Sequence, residues 1–291
     1  GAKVIKPENI PLNMFSAYDG LSKPWLQSYK FFSDVLSKIY SNIGPVQMQN
    51  IRSAVKQAFD DAEGRGLKNP FLQDVFREYQ GVTDNKPDSV SNILQDLDDM
   101  ALFVTDPEEV KPFEEFMNGV VVIDLAELGA DAKTKNLLVT IFLNFFYRYM
   151  LSIPKKDPVG DSPKLRFIHS MLLVDEADNI MQYEFDVLKQ ILLQGREFGV
   201  GVLLSTQYLS HFKTQNENYL EPLLTWFLHK VPNINTKQLE GIGVTQQLNS
   251  GMVTKIKELE IHECFFKTLD VPGEIVRGTP FFEMLSEEGE V

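Results

Sequence analysis

The chain has 291 residues, 43% of them hydrophobic, and a formal net charge of −13. That length allows one large domain or two small ones with a sizeable core. The acidity excludes a protein that coats nucleic acid through its overall charge, while leaving room for a few basic loops facing DNA. A single cysteine, Cys264, excludes an intrachain disulfide framework and suits a reducing cytosol.

The chain opens Gly1-Ala2-Lys3 with no methionine and no signal peptide, and it reads as an excised fragment. "AKVIKP" is a short strand stopped by Pro7, and "ENIPLNMFSAYDG" is a loop. From Ser22 to about Glu109 the pattern is helical. Leu26, Tyr29, Phe32, Val35, Leu36 and Ile39 make one stripe, and Met48, Ile51, Val55 and Phe59 make a second behind Pro45. "NPFLQDVFREYQ" and "SVSNILQDLDDMALF" supply two more helices. The block 22–112 is therefore expected to be an all-α subdomain.

The pattern then changes. "GVVVIDLAEL" (119–128) is a continuous apolar run, expected to be a strand buried on both faces. The apolar stretch 137–153 contains Asn144 and Arg148 and is flanked by lysines, so it reads as a buried helix and not a membrane span. Lys155, Lys156, Lys164 and Arg166 flank a polar loop and read as solvated surface. "RFIHSMLLVDEAD" ends a second strand. A helix from about Tyr183 carries Phe185, Leu188, Ile191 and Leu192 on one face and is expected to break at Gly195 and Gly199. "VGVLLSTQ" is a further strand, and "HECFFKTL" and "EIVRG" are two more. Strands alternating with helices predict an α/β fold with a largely parallel sheet covered on both sides.

The chemistry concentrates in two places. Asp175 and Glu176 close the strand "MLLV", and Ser205-Thr206-Gln207 close the next one. Nucleotide hydrolysis at a sheet edge needs a carboxylate that holds Mg²⁺ through water, a second carboxylate or polar group that polarises the attacking water, and a cradle for the phosphates. Adjacent acids at a strand end suit the first two tasks. Polar residues at the neighbouring strand's tip suit a γ-phosphate sensor. Each also has a plain structural reading: solvated acids at a strand terminus, and a Ser/Thr cap. Arg196, in "QGREFG", suits a charge-stabilising arginine acting on a neighbouring subunit's nucleotide, or equally a helix C-terminal dipole partner. Asp124 ends "VVVID" but is followed by Leu125, so it reads as structural. His169, His211, His229 and His262 show no metal-ligand spacing, and there is no GxSxG. GxxxxGK[ST] is absent from the 291 residues, so these residues alone are not expected to hydrolyse ATP.

Taken in order, "GAKVIKPENIPLNMF", "GVVVIDLAEL", "MLLVDEADNIMQ", "LLQGREFGVGVLLSTQYLSHF" and "VRGTPFFEML" resemble the HerA/FtsK-type ATPases, hexameric RecA-like motors that move DNA. "REFGVGVLLSTQYLSHF" with "YLEPLLTWFLHKVPNI" is most similar to the DptH/DndH branch, the ATPase-like component of DNA phosphorothioation-dependent restriction. The resemblance implies that the Walker A loop precedes Gly1. It implies a RecA-like core starting at 1–21, an inserted helical subdomain at 22–112, and the remaining core with the Walker B acids at 113–291. It further implies Asp175 for Mg²⁺ through water, Glu176 as the catalytic acidic residue, Thr206 and Gln207 at the nucleotide, and Arg196 as a trans-acting finger. ATP and Mg²⁺ are the implied cofactors. Double-stranded DNA and other restriction subunits are the implied partners, in a cytoplasmic hexamer. A conjugative secretion ATPase and a non-catalytic RecA-like scaffold are the alternatives.

Overall fold

The structure, a computed structural model, describes residues 1–16, 22–40, 43–129, 131–161, 165–244, 246–268, 271–280 and 283–284. The chain divides into two compact units, Gly1–Pro154 and Lys155–Val291. The boundaries read from sequence at 21/22 and 112/113 both fall inside the first.

In the first unit, β1 (Lys3–Ile5) is followed by α1 (Pro24–Ile39), α2 (Pro45–Gly64), α3 (Leu72–Val82), α4 (Ser89–Asp99) and a short α5 (Phe113–Phe116). Then come β2 (Val121–Ile123) and the long α6 (Ala132–Ser152). Pro24 and Pro45 occupy the first turns of their helices, where a missing N–H costs nothing. Asp88 caps α4, its Oδ1 accepting from the Val90 and Ser91 N–H groups at 3.0 and 2.8 Å. α1 packs on α2 and α6, α2 on α3, and α3 on α4. Their apolar stripes meet in a core of Phe32, Leu36, Ile51, Val55, Val75, Tyr79 and Leu94, each at most 1% exposed. Burial of each large side chain is worth about 1.5–3 kcal/mol. The Tyr79 hydroxyl donates to Asp88 Oδ2 at 2.8 Å, which satisfies its one polar atom at the rim of the core.

β1 and β2 are parallel neighbours, with Lys3 opposite Val121, Val4 opposite Val122 and Ile5 opposite Ile123. Parallel neighbours need a crossover, and here the crossover carries α1–α5. The helical block is thus inserted between two adjacent strands. The run 119–128 is not one long strand buried on both faces. Gly119 at φ +84° lies before the strand, and an Asp124 Oδ1 bond from the Ala126 N–H at 2.9 Å turns the chain after Ile123. Val4 and Val122 stand side by side on an open face, 60% and 44% exposed. α6 is a buried helix, as expected, with Leu137, Leu138, Ile141, Leu143 and Met150 in the core. Among the described residues no helix is long and apolar enough to cross a membrane.

The second unit contains β3 (Ser170–Val174), α7 (Asp178–Met181), α8 (Asp186–Phe198), β4 (Val200–Leu204), β5 (Trp226–Leu228), α9 (Thr236–Gly241), α10 (Gln246–Lys257), β6 (Glu263–Thr268) and β7 (Val271–Arg277). β3 and β4 are parallel, in register from Ser170–Val200 to Val174–Leu204. β5, β6 and β7 form an antiparallel sheet in that order. Gly195 does not break α8, contrary to the sequence reading. A Cβ there would lie 3.3 Å from the Val200 carbonyl oxygen, so this glycine lets helix and strand approach closely. The helix stops at Gly199, whose φ of +71° reverses the chain into β4. The β3–β4 pair is not covered on both faces either: Met171, Leu173 and Leu203 are 55%, 64% and 43% exposed.

Candidate functional site

The register of β3 against β4 places the two sequence-predicted tips together. Just beyond Val174 and Leu204, the Ser205 N–H donates to the Val174 carbonyl at 3.0 Å and the Ala177 N–H donates to the Ser205 carbonyl at 2.9 Å. The ladder thereby continues one step past both strands. Asp175 lies opposite Ser205, whose hydroxyl donates to Asp175 Oδ1. The Glu176 N–H donates to the same oxygen at 3.0 Å. These bonds hold the exposed Asp175 carboxyl below its ordinary range, the Ser205 hydroxyl contributing most and the Glu176 N–H next. Oδ2 receives no such bond among the described residues. An ionised carboxylate with one oxygen anchored and the other open suits a Mg²⁺ ion held through water, with most ligands supplied by water and phosphate. No three His, Cys, Asp or Glu side chains among the described residues converge as metal ligands.

The acid pair is not part of the strand. Residues 175–177 form a turn, and Glu176 adopts φ +48°, a left-handed conformation uncommon for a residue with a Cβ. The two acids are therefore set apart by this turn and not by strand alternation. The Glu176 side chain is exposed, and Asn179 Nδ2 donates to its Oε2 at 3.4 Å. The apolar residues before the pair are less buried than expected: Leu172 and Val174 are half-buried, and Leu173 is exposed. What holds the tip in place is the ladder to β4.

Thr206 and Gln207 lie on the β4 side of the same tip, Thr206 half-buried and Gln207 exposed. Arg196 does not join them. It sits exposed in the last turn of α8, before β4 begins. With a rise of about 3.3 Å per residue, the five residues of β4 separate it from the tip by roughly 17 Å. That location suits the helix-dipole reading within one chain and leaves a role on another subunit's nucleotide as a proposal. Asp124 closes β2 and is engaged in its own turn. Lys155 pairs with Glu197 at 2.5 Å, and Arg166 Nε donates to the Lys156 carbonyl at 3.0 Å. Lys164 lies outside the described residues.

Two further residues at this tip were not read from the sequence. The Thr206 hydroxyl is 2.9 Å from Asp178 Oδ1 and 2.7 Å from His211 Nδ1. Asp178, three residues after Asp175, matched no motif, and a lone histidine carries no signature of its own.

No protein family's sequence profile matches the chain, and neither does any curated protein. Solved structures do. VirB4 of Thermoanaerobacter pseudethanolicus superposes with a TM-score of 0.68 at 14% identity, over 98% of this chain and 78% of that one. The bacterial conjugative coupling protein TrwBΔN70, in its unbound monoclinic form, gives 0.52 at 11% identity over 96% and 73%. Its trigonal form in complex with sulphate gives 0.57 at 11% identity over 95% and 73%. At these identities the likeness concerns the fold. The chain has an α/β, RecA-like fold, with its helical block inserted between neighbouring parallel strands.

Proposed function

We propose that this chain forms the acid-and-sensor part of an ATP-driven motor of the HerA/FtsK type. The observation that carries the proposal is the shared tip of β3 and β4, where Asp175 is held opposite Ser205 and adjoins Glu176, Thr206 and Gln207. The substrate is Mg²⁺·ATP. Asp175 would hold the Mg²⁺ through water, and Thr206 and Gln207 would lie toward the γ-phosphate. Glu176 acts as the general base toward the attacking water. Arg196 belongs at a neighbouring subunit's nucleotide in a ring, consistent with its place at the far end of β4. The block 22–112 is an insertion into the motor core.

The finer reading is a translocase on double-stranded DNA in phosphorothioation-dependent restriction, working in the cytoplasm as a hexamer with other restriction subunits. Its support is the "REFGVGVLLSTQYLSHF" stretch, which spans α8, β4 and the sensor tip. A second reading, a motor of conjugative transfer, is favoured by the fold likeness to the conjugative coupling protein TrwB. DNA-stimulated turnover is common to both. Dependence on phosphorothioated host DNA separates them.

The reading needs a phosphate cradle, and GxxxxGK[ST] is absent from these 291 residues, so the test uses the native full-length protein. Glu176→Gln should lower ATP turnover by about 10²–10⁴-fold, the range expected for a lost general base, while ATP binding persists. Turnover by this variant at the wild-type rate would remove Glu176 from the chemistry.

A further inference from the structure

We infer that His211 is a positioning residue, which locks the tip of β4 against the start of α7 through the Thr206 hydroxyl and the Asp178 carboxylate. The inference rests on the motor reading above and adds to it a residue that acts through Thr206 and Asp178.

Hydrogen-bond accounting determines the direction of the network. Thr206 Oγ1 lies 2.9 Å from Asp178 Oδ1 and 2.7 Å from His211 Nδ1. A hydroxyl has one proton, and a carboxylate only accepts. The hydroxyl therefore donates to Asp178, and its oxygen accepts from His211 Nδ1–H. Nδ1 therefore bears a proton in this network. Asp178 Oδ2 approaches the same ring nitrogen at 3.5 Å. This arrangement excludes a nucleophilic threonine. An activated hydroxyl must hand its proton to the ring, with the acid on the ring's other nitrogen. Here the hydroxyl proton goes to the acid, and both partners meet one nitrogen.

The ring is itself held. Tyr208 packs against it edge-on, with centroids 5.2 Å apart at 77°. His211 lies in a one-turn 3₁₀ segment, Leu209–Phe212, whose Leu209 and Phe212 are buried. Phe212 meets Trp226 of β5 at 5.2 Å and 84°, and the segment packs on α7. The histidine thus belongs to a fixed element, while the groups it constrains flank the chemistry. Thr206 adjoins Gln207, and Asp178 is two residues beyond Glu176. Gln207 is exposed, so its approach to a phosphate depends on where this backbone is held. Loss of the lock should loosen the spacing between Gln207 and Glu176, and small misplacements of reacting groups cost rate steeply.

Steady-state ATP hydrolysis by the full-length protein tests this. His211→Asn keeps an N–H near the position of Nδ1, His211→Gln places it further out near Nε2, and His211→Ala removes it. The Ala and Gln variants should lose about tenfold in kcat with KM within about twofold, and the Asn variant should stay within about threefold of wild type. Asp178→Asn, which keeps an acceptor for the Thr206 hydroxyl, should likewise retain the rate that Asp178→Ala loses, which gives an independent pair if the histidine variants fold poorly. Equal rates for the Ala and Asn variants, or a loss in all variants that tracks lowered Tm, would overturn the positioning role. Wild-type turnover measured alongside separates the two claims. If the wild type hydrolyses ATP and His211→Ala matches it, only the positioning role fails; if the wild-type full-length protein hydrolyses no ATP, the motor reading fails.

Discussion

Replacing Glu176 by glycine separates backbone strain from chemistry at the tip of β3. Glu176 holds φ +48°, and a left-handed conformation costs a residue with a Cβ about 1–2 kcal/mol. Glycine removes that cost but has more freedom to lose on folding, about 0.5–1 kcal/mol. The side chain contributes little to the balance, since it is exposed and its bond to Asn179 is long, at 3.4 Å. The net expectation is a gain of about 0.5–1 kcal/mol, a rise in Tm of roughly 2 °C for a chain of this size. Glu176→Gln keeps the backbone strain and should leave stability within about 0.5 kcal/mol of wild type, as surface changes do. Gly199→Ala provides the opposite sign. Its φ is +71°, and a Cβ there would lie 2.7 Å from the Phe167 carbonyl oxygen, at the start of the β3–β4 register. It should lose about 2–4 kcal/mol from the left-handed cost and the overlap together. Denaturant midpoints at constant slope measure all three, with ATP turnover followed in the full-length protein. A Glu176→Gly chain that is less stable than wild type would refute the strained turn, and one that still turned over ATP would refute the role of the carboxylate.

Two further outcomes follow from particular contacts. The lowered Asp175 carboxyl contributes stability that is present above the ordinary carboxylate range and is lost as pH falls through the lowered value. Ser205→Ala removes the largest cause, so the Asp175 side-chain carbon should titrate at higher pH by NMR, and an unchanged midpoint would refute the assignment. In the antiparallel sheet, a Cβ at Gly273 would fall 1.8 Å from Phe265 Cζ, and that ring is fully buried. Gly273→Ala should therefore lower stability by about 1–3 kcal/mol, the usual cost of overpacking. An unchanged Tm would show that β6 and β7 do not approach as closely as this.

Much of this architecture was legible from residue order. The stripes of α1 and α2 and the proline that opens α2 are local signals, set within one or two turns of chain. The greasy helix α6 was legible too, because Asn144, Arg148 and its flanking lysines are incompatible with a membrane span. The acid pair and the Ser-Thr-Gln tip were found because each closes a short apolar run. Gly195 misled because glycine breaks helices from within and also permits close packing from without, and only the position of Val200 distinguishes the two.

The assembled site was decided elsewhere. Asp175 and Ser205 are 30 residues apart, and their meeting depends on the register of two parallel strands, which no local pattern encodes. The direction of β4 sends Arg196 to one end and Gln207 to the other, although both lie close to the strand in sequence. His211 acquired its partners only when the 3₁₀ segment after β4 docked on α7. Residue order thus determined which groups are available and which elements carry them. Their distances, and so the chemistry they can share, arose from non-local pairing, because hydrogen-bond register and packing join segments whose separation along the chain carries no periodic signal.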